Sequence, residues 1–167
     1  RSKFFRGEID KYTWVDYGSS YLPSDINAAY LWAQLEEADR IREDRLESFA
    51  FYHQALGKLD EQGYIERPFL PSYAKGNGHM YYIKVKDLET RSRLISYLKE
   101  QGIHTVFHYV PLHTAPPGKK FGRFFAEDRY TTVESERLLR LPMYYGLTRE
   151  EQETVVEAIE RFFQSRL

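Results

Sequence analysis

Apolar positions in the first half of the chain recur in steps of three and four. Between Ser24 and Leu59 they fall at Ile26, Ala29, Tyr30, Ala33, Leu35, Ala38, Ile41, Leu46, Phe49, Tyr52, Leu56 and Leu59, which predicts one face of a helix. Uncapped helical patterns beyond about 25 residues are unusual in globular domains, so a break or bend is predicted near Glu36-Glu37. Ser24 is a good N-cap, because its hydroxyl accepts from a free amide of the first turn. Gly63 closes the run. The period then shortens. Tyr64 to Glu66 reads as a short strand, Pro68 and Pro71 as an extended connection, and Ala74 to Gly78 as a loop. His79 to Val85 is the strongest strand pattern, rich in aromatic and β-branched residues. Asp87 caps a helix from Leu88 to Gln101, with Leu88, Leu94, Ile95 and Leu98 inward and Gly102 just past its end. Ile103 to Tyr109 is a second strand. Strand, helix and strand in close succession predict parallel neighbours joined by a helical crossover. The fold class expected is α/β, a small sheet with helices on one face.

Val110 to Tyr130 carries Pro111, Pro116, Pro117, Gly118 and Gly122 among three phenylalanines, and reads as a long irregular loop. Loops of this length in compact domains are often functional or mobile. Thr131 and Glu134 form a capping-box pattern for a short helix through Arg140, which Pro142 stops. Met143 to Gly146 reads as a turn or short strand. Thr148 and Glu151 form a second capping box. The last helix then runs to about Arg166 with Val155, Val156, Ile159, Phe162 and Phe163 inward. The expected organisation is an aromatic arm over 1–23, a long linking helix over 24–59 and a small α/β domain over 60–167. In the arm, Phe4, Phe5, Tyr12, Trp14, Tyr17 and Tyr21 are too many rings for a solvated tail. Such a segment is expected to lie on another protein surface. The chain opens on Arg1 with no clear element start before Trp14, so it reads as entered in the middle of a longer protein.

Charge changes the picture by exclusion. Lys plus Arg number 24 and Asp plus Glu 25, for a net charge of −1. That balance gives no electrostatic case for nucleic acid or an anionic membrane. With no cysteine there is no disulfide framework, thiol nucleophile or thiolate metal site. No apolar run approaches a membrane span and no signal-peptide pattern opens the chain, so a soluble cytoplasmic protein is expected.

Three constellations are candidates for chemistry. Gly18-Ser19-Ser20 is a small-residue corner before a helix. Such corners bind phosphate through hydroxyl and backbone N–H groups, or are ordinary turns with a cap. His104 and His108 lie an even number apart, which puts them on one side of a strand, with His113 and His79 nearby in sequence. A zinc site would need a third ligand and an acid, and the proline-rich stretch from Pro111 to Gly122 beside them carries none. His108, Tyr109 and His113 suit polar contacts to a ligand at the mouth of a sheet, where α/β proteins place their sites. Simple packing of these rings is the competing reading. The acid pairs Glu36-Glu37 and Glu150-Glu151 fall on solvated helix faces. No phosphate-binding glycine loop and no nucleophile elbow is present, and no lysine sits in an apolar setting that would lower its pKa for imine chemistry.

The stretch Asp10-Lys-Tyr-Thr-Trp-Val-Asp-Tyr-Gly-Ser-Ser-Tyr-Leu-Pro-Ser-Asp, followed by Ala28-Ala-Tyr-Leu-Trp-Ala-Gln-Leu-Glu, resembles the DegT/DnrJ/EryC1/StrS sugar aminotransferases. The resemblance continues through Asn77-Gly-His-Met-Tyr-Tyr-Ile, Phe107-His-Tyr-Val-Pro-Leu-His and Asp128-Arg-Tyr-Thr-Thr-Val-Glu-Ser-Glu-Arg-Leu-Leu-Arg-Leu-Pro-Met. Within that family it is nearest to the dTDP-4-oxo-6-deoxy-D-glucose transaminases, which serve enterobacterial common antigen and related surface glycans. It implies the C-terminal domain of a fold type I pyridoxal-phosphate enzyme, an obligate homodimer, and transfer of the amino group of L-glutamate to C4 of the oxo sugar. The family's Schiff-base lysine falls before the stretch matched by Arg1, so the resemblance implies a portion that is inactive alone. Ser20 takes the place of an asparagine that faces the cofactor phosphate across the dimer, with Ser19 its neighbour, and Leu22 replaces the arginine of that motif. His108, Tyr109 and His113 fall near the sugar-nucleotide end of the site. Two other readings stay open: a non-catalytic α/β interaction module that dimerises through its aromatic arm, and a metal-dependent hydrolase built on the histidines.

Overall fold

The computed structural model describes residues 6, 8 and 21–164. The chain divides into two units, residues 1–36 and 37–167, and each is taken by itself.

In the first unit, α1 spans Asp25–Glu36. Its start is set by Ser24, whose Oγ accepts from the amide of Asn27 at 3.3 Å. None of its residues is buried. Ile26, Tyr30, Leu31, Trp32 and Leu35 are all exposed and are spread around its circumference.

The second unit begins where the predicted break falls. The helix stops at Glu36 and α2 runs Ala38–Ala55, with α3 at Gly57–Glu61. Gly63 takes a φ of 76° and ends that segment. Then come β1 (Tyr81–Lys84), α4 (Leu88–Glu100), β2 (Val106–Phe107), a 3₁₀ turn (Leu112–Thr114), α5 (Pro116–Phe121), α6 (Thr131–Arg137), β3 (Leu138–Leu141) and α7 (Arg149–Gln164). The carboxylate of Asp87 caps α4, accepting from the amide of Thr90 at 2.8 Å. Gly102 (φ 76°) lets the chain turn away from it. Thr148 and Glu151 cap α7 reciprocally, by Thr148 N to Glu151 Oε2 at 2.8 Å and Glu151 N to Thr148 Oγ1 at 3.2 Å.

The sheet corrects the expected topology. Its order is β1-β3-β2, and β3 pairs antiparallel with both neighbours. The helical crossover through α4 therefore does not make β1 and β2 hydrogen-bonded neighbours. Residues read as the end of a helix supply the intervening strand, since α6 stops at Arg137 and Leu138–Leu141 are extended. The reason is burial. With Leu139 opposite Ile83 and Leu141 opposite Tyr81, all four side chains fall on one buried face. A helix through Arg140 would leave that face open.

The core forms where this face meets α2, α4 and α7. Tyr52, Leu94, Leu98, Val155, Val156, Ile159, Phe162 and Phe163 pack with the sheet leucines in one cluster. Every residue expected inward on α7 is buried. On α4, Leu94 and Leu98 are buried and Ile95 packs at the margin, whereas Leu88 is 43% exposed. The Tyr52 hydroxyl donates to the carbonyl of Pro142 at 3.1 Å, and burial holds that phenol well above its ordinary pKa. Among the described residues no helix is long and apolar enough to cross a membrane.

Candidate functional site

Strand pairing in β2 covers only Val106–Phe107, so the predicted alternation does not run through both His104 and His108. His104 is exposed, in a cavity with Gln101, Glu151 and Val155. His79 is exposed elsewhere, its Nδ1 2.8 Å from Asn77 Oδ1. Among the described residues no group of three or more His, Asp or Glu could hold a metal. Ser19 and Ser20 lie outside the described residues.

His108, Tyr109 and His113 share the segment that leaves β2. Arg140 reaches the Phe107 carbonyl at 3.4 Å, and Ser135 Oγ donates to the Tyr109 carbonyl at 2.8 Å. Pro111 starts the 3₁₀ turn, with the hydroxyl of Thr114 donating to its carbonyl at 2.9 Å. Gly118 on α5 lies against that turn. A Cβ there would stand 1.7 Å from the Leu112 carbonyl oxygen, so only glycine fits.

This segment forms one wall of a cavity of about 280 Å³. Its lining comes from Tyr109, Val110, Pro111 and Thr114 after β2, from Thr132, Ser135 and Glu136 on α6, and from Leu88, Arg91 and Phe107. Arg91 is held by a 2.6 Å bond from Nη1 to the Ser135 carbonyl, and its guanidinium sits 5.5 Å from the Phe107 ring centre. Burial lowers its pKa, with Glu136 opposing. Arg91 Nε, Arg140 Nε and His108 Nδ1 are buried without hydrogen-bond partners. Buried polar atoms are normally paired with protein or water; of these three residues, Arg91 lines the cavity. The His108 ring meets Tyr109 edge-on at 4.5 Å. Exposed Tyr109 offers a ring face and a hydroxyl. The cavity thus combines two aromatic rings, one arginine, one glutamate and several hydroxyls, a lining suited to a ligand with a flat ring and polar substituents.

His113 does not line this cavity. It lies behind the wall, with Nε2 2.6 Å from Asp128 Oδ2 and its ring 4.2 Å from that of Phe124. Thr132 donates to the same carboxylate through its hydroxyl at 2.5 Å and its amide at 3.3 Å. The hydrogen bond from Thr132, and then that from His113, hold the Asp128 carboxyl below its ordinary pKa. An acid on the far end of the loop thus serves this histidine, although the proline-rich stretch itself carries none. The predicted Thr131–Glu134 capping box does not form. Asp128 serves the amide of Thr132, and Glu134 is drawn into a charge network instead. There Lys84 Nζ lies 2.8 Å from both Glu66 and Glu134, while Arg137 bonds both acids. Lys84 lowers the pKa of each acid, and the acids raise that of Lys84.

A further cavity of about 210 Å³ lies beside the Asn77-Gly78-His79-Met80 stretch. Arg45 donates to the carbonyls of Gly78 and His79. Gly78 has a φ of 63°, and a Cβ there would meet the Arg45 backbone at 2.9 Å. The sequence pattern does not single out Arg45, Arg91 or Asp128. The spacing from Asp128 to Thr132 across a helix start was the available signal for the last.

Residues 2–160 match the family model described as the DegT/DnrJ/EryC1/StrS aminotransferase family. The fold is shared with solved structures. A DegT DnrJ EryC1 StrS aminotransferase from Brucella abortus is 24% identical with a TM-score of 0.73, over 96% of this chain and 42% of that one. Helicobacter pylori PseC, an aminotransferase involved in the biosynthesis of pseudoaminic acid, is 19% identical with a TM-score of 0.76, over 98% and 45%. The PLP form of Spr1654 from Streptococcus pneumoniae is 21% identical with a TM-score of 0.70, over 86% and 36%. The chain therefore spans less than half the length of each.

Proposed function

Since the chain belongs to the DegT/DnrJ/EryC1/StrS aminotransferase family, we propose that it is the C-terminal portion of a sugar-nucleotide aminotransferase that binds its nucleotide sugar partly in the cavity beside Tyr109. The parent reaction is transfer of the amino group of L-glutamate to C4 of dTDP-4-oxo-6-deoxy-D-glucose, in a pathway to a surface glycan of the enterobacterial common antigen kind. The family match along nearly the whole chain carries this reading. The aromatic and hydroxyl lining of the cavity supports it.

Aminotransferases of this family depend on pyridoxal phosphate, which supplies an electron sink for amino transfer. The described residues do not fit its pocket. Lys58, Lys75, Lys86, Lys99, Lys119 and Lys120 are exposed. Lys84 is half-buried, but Glu66 and Glu134 raise its pKa, the wrong direction for an imine-forming amine. This portion's part therefore lies with the substrate: Tyr109 and Phe107 contribute aromatic rings to the cavity, and Arg91 adds positive charge. Ser19 and Ser20 are proposed phosphate contacts across a homodimer. The exposed apolar residues all round α1 support such an assembly, because a helix of that kind is covered on every side when in place.

The test is steady-state turnover by the full-length parent with L-glutamate and dTDP-4-oxo-6-deoxy-D-glucose, read by mass spectrometry of the product. An amino sugar nucleotide formed in step with 2-oxoglutarate is expected. Turnover of a 3-oxo isomer alone would move the site of amination, and absence of any amino transfer would remove the proposal.

A further inference from the structure

The two walls of the Tyr109 cavity come from segments well separated along the chain. One is the stretch after β2, with Tyr109, Val110, Pro111 and Thr114. The other is α6, with Thr132, Ser135 and Glu136. Side-chain ties join them at two points. Ser135 holds the Tyr109 carbonyl. The second tie is His113 to Asp128, with Thr132 bonding the same carboxylate.

This second tie has a defined polarity. The carboxyl of Asp128 is ionised at neutral pH, since its pKa is lowered, and an ionised carboxylate only accepts hydrogen bonds. The 2.6 Å contact therefore places a hydrogen on Nε2 of His113. Thr132 donates its hydroxyl and its amide to the same acid. Three donors from two walls converge on one carboxylate. The His113 and Asp128 side chains are about a fifth exposed, and Phe124 covers the imidazole. The group is shielded enough to hold its geometry.

We propose that Asp128 is a positioning residue, which draws His113 and Thr132 together and so sets the width of the cavity that takes the sugar nucleotide. The inference rests on the functional reading above, and it reassigns His113 from ligand contact to wall anchor. Charge-assisted bonds of this length are the stronger kind. Without the carboxylate this tie is lost, and the bond from Ser135 to the Tyr109 carbonyl is left to hold the segment against α6, so the width of the cavity is less firmly set.

The test uses the full-length parent carrying Asp128→Asn, which keeps the size and an acceptor for Thr132 but loses the charge. The KM for the dTDP-sugar is expected to rise tenfold or more, the KM for L-glutamate to stay within twofold, and the melting temperature to stay within a few degrees. Histidine 15N–1H spectra of the wild type should show a proton on His113 Nε2 in a strong hydrogen bond, lost in the variant. An unchanged sugar-nucleotide KM, or an equal rise in both KM values, overturns the proposal. If the wild-type parent turns over no oxo-sugar nucleotide, the functional reading has failed. The anchor is then judged on the spectra alone, and a His113 Nε2 without that proton overturns it.

Discussion

Phe162 and Phe163 near the end of α7 are buried, whereas Phe121 and Phe125 around α5 are 79% and 90% exposed. The residue type is the same and the outcome opposite. On α7 the rings extend a face already marked by Val155, Val156 and Ile159, so a helix of period 3.6 delivers all five to the core. Between Val110 and Tyr130 no period exists to gather the rings. Order there comes from polar ties instead: Thr114 to Pro111, Ser135 to Tyr109, and Asp128 to His113 and Thr132. Apolar content makes a core only when the backbone repeats it onto one face. Elsewhere, hydrogen bonds hold the chain and leave rings outward for contact with other molecules.

The contrast is broken most directly in the core. Leu139 is fully buried on the central strand, and Leu139→Ala should cost about 2–5 kcal/mol by cavity formation, read by urea unfolding. A cost well under that range would show that the sheet face is looser than its burial implies. A smaller effect is expected from Gly118→Ala. The added carbon cannot coexist with the Leu112 carbonyl oxygen, so the 3₁₀ turn must shift, at about 1–3 kcal/mol. Here nucleotide binding should suffer more than the melting temperature. Equal damage to both would mean that the polar region is part of the core after all.

The smallest effect sits on the seam between the two regions, where Lys84 of β1 meets Glu134 of α6. Glu66 and Glu134 have folded pKa values below their ordinary ones, so their contribution is present above about pH 4 and is lost as pH falls through the lowered values. The Lys84 pKa is raised, so its contribution is present below about pH 10.4 and is lost as pH rises through the folded value. The stability difference between wild type and Lys84→Met should therefore be flat near neutrality and shrink at both extremes. A difference that persists at pH 3 would assign it to lost packing of the lysine stem.

The same contrast explains what could be read from the chain. The break after Glu36, the caps at Ser24, Asp87 and Thr148, and the inward face of α7 are local rules, in which a residue acts on neighbours within a turn or two. They are visible without a structure. The pairing of Leu139 with Ile83 is not, because the apolar run Leu138–Leu141 suits a helix end as well as a strand and only the partner decides. The site shows the same limit. Tyr109 and His113 stood out as residue types beside a proline-rich loop, but the carboxylate that serves His113 lies beyond a stretch with no regular spacing. Arg91 read as one more charge on a helix, and only the fold turns it toward Ser135 and Phe107.

The order β1-β3-β2 also bears on how the chain is made. The strand that joins the sheet is the last of the three to be synthesised. While β1 and β2 wait, the edge that each later gives to β3 has no partner, the condition under which nascent chains stick to one another. At typical synthesis rates that interval is roughly ten seconds or less. Sheet formation then happens in one late step, when Leu138–Leu141 clears the ribosome and inserts between two strands already in place. A ribosome stalled before Leu138 would hold a chain with helices but no sheet, and that is the species a chaperone would meet.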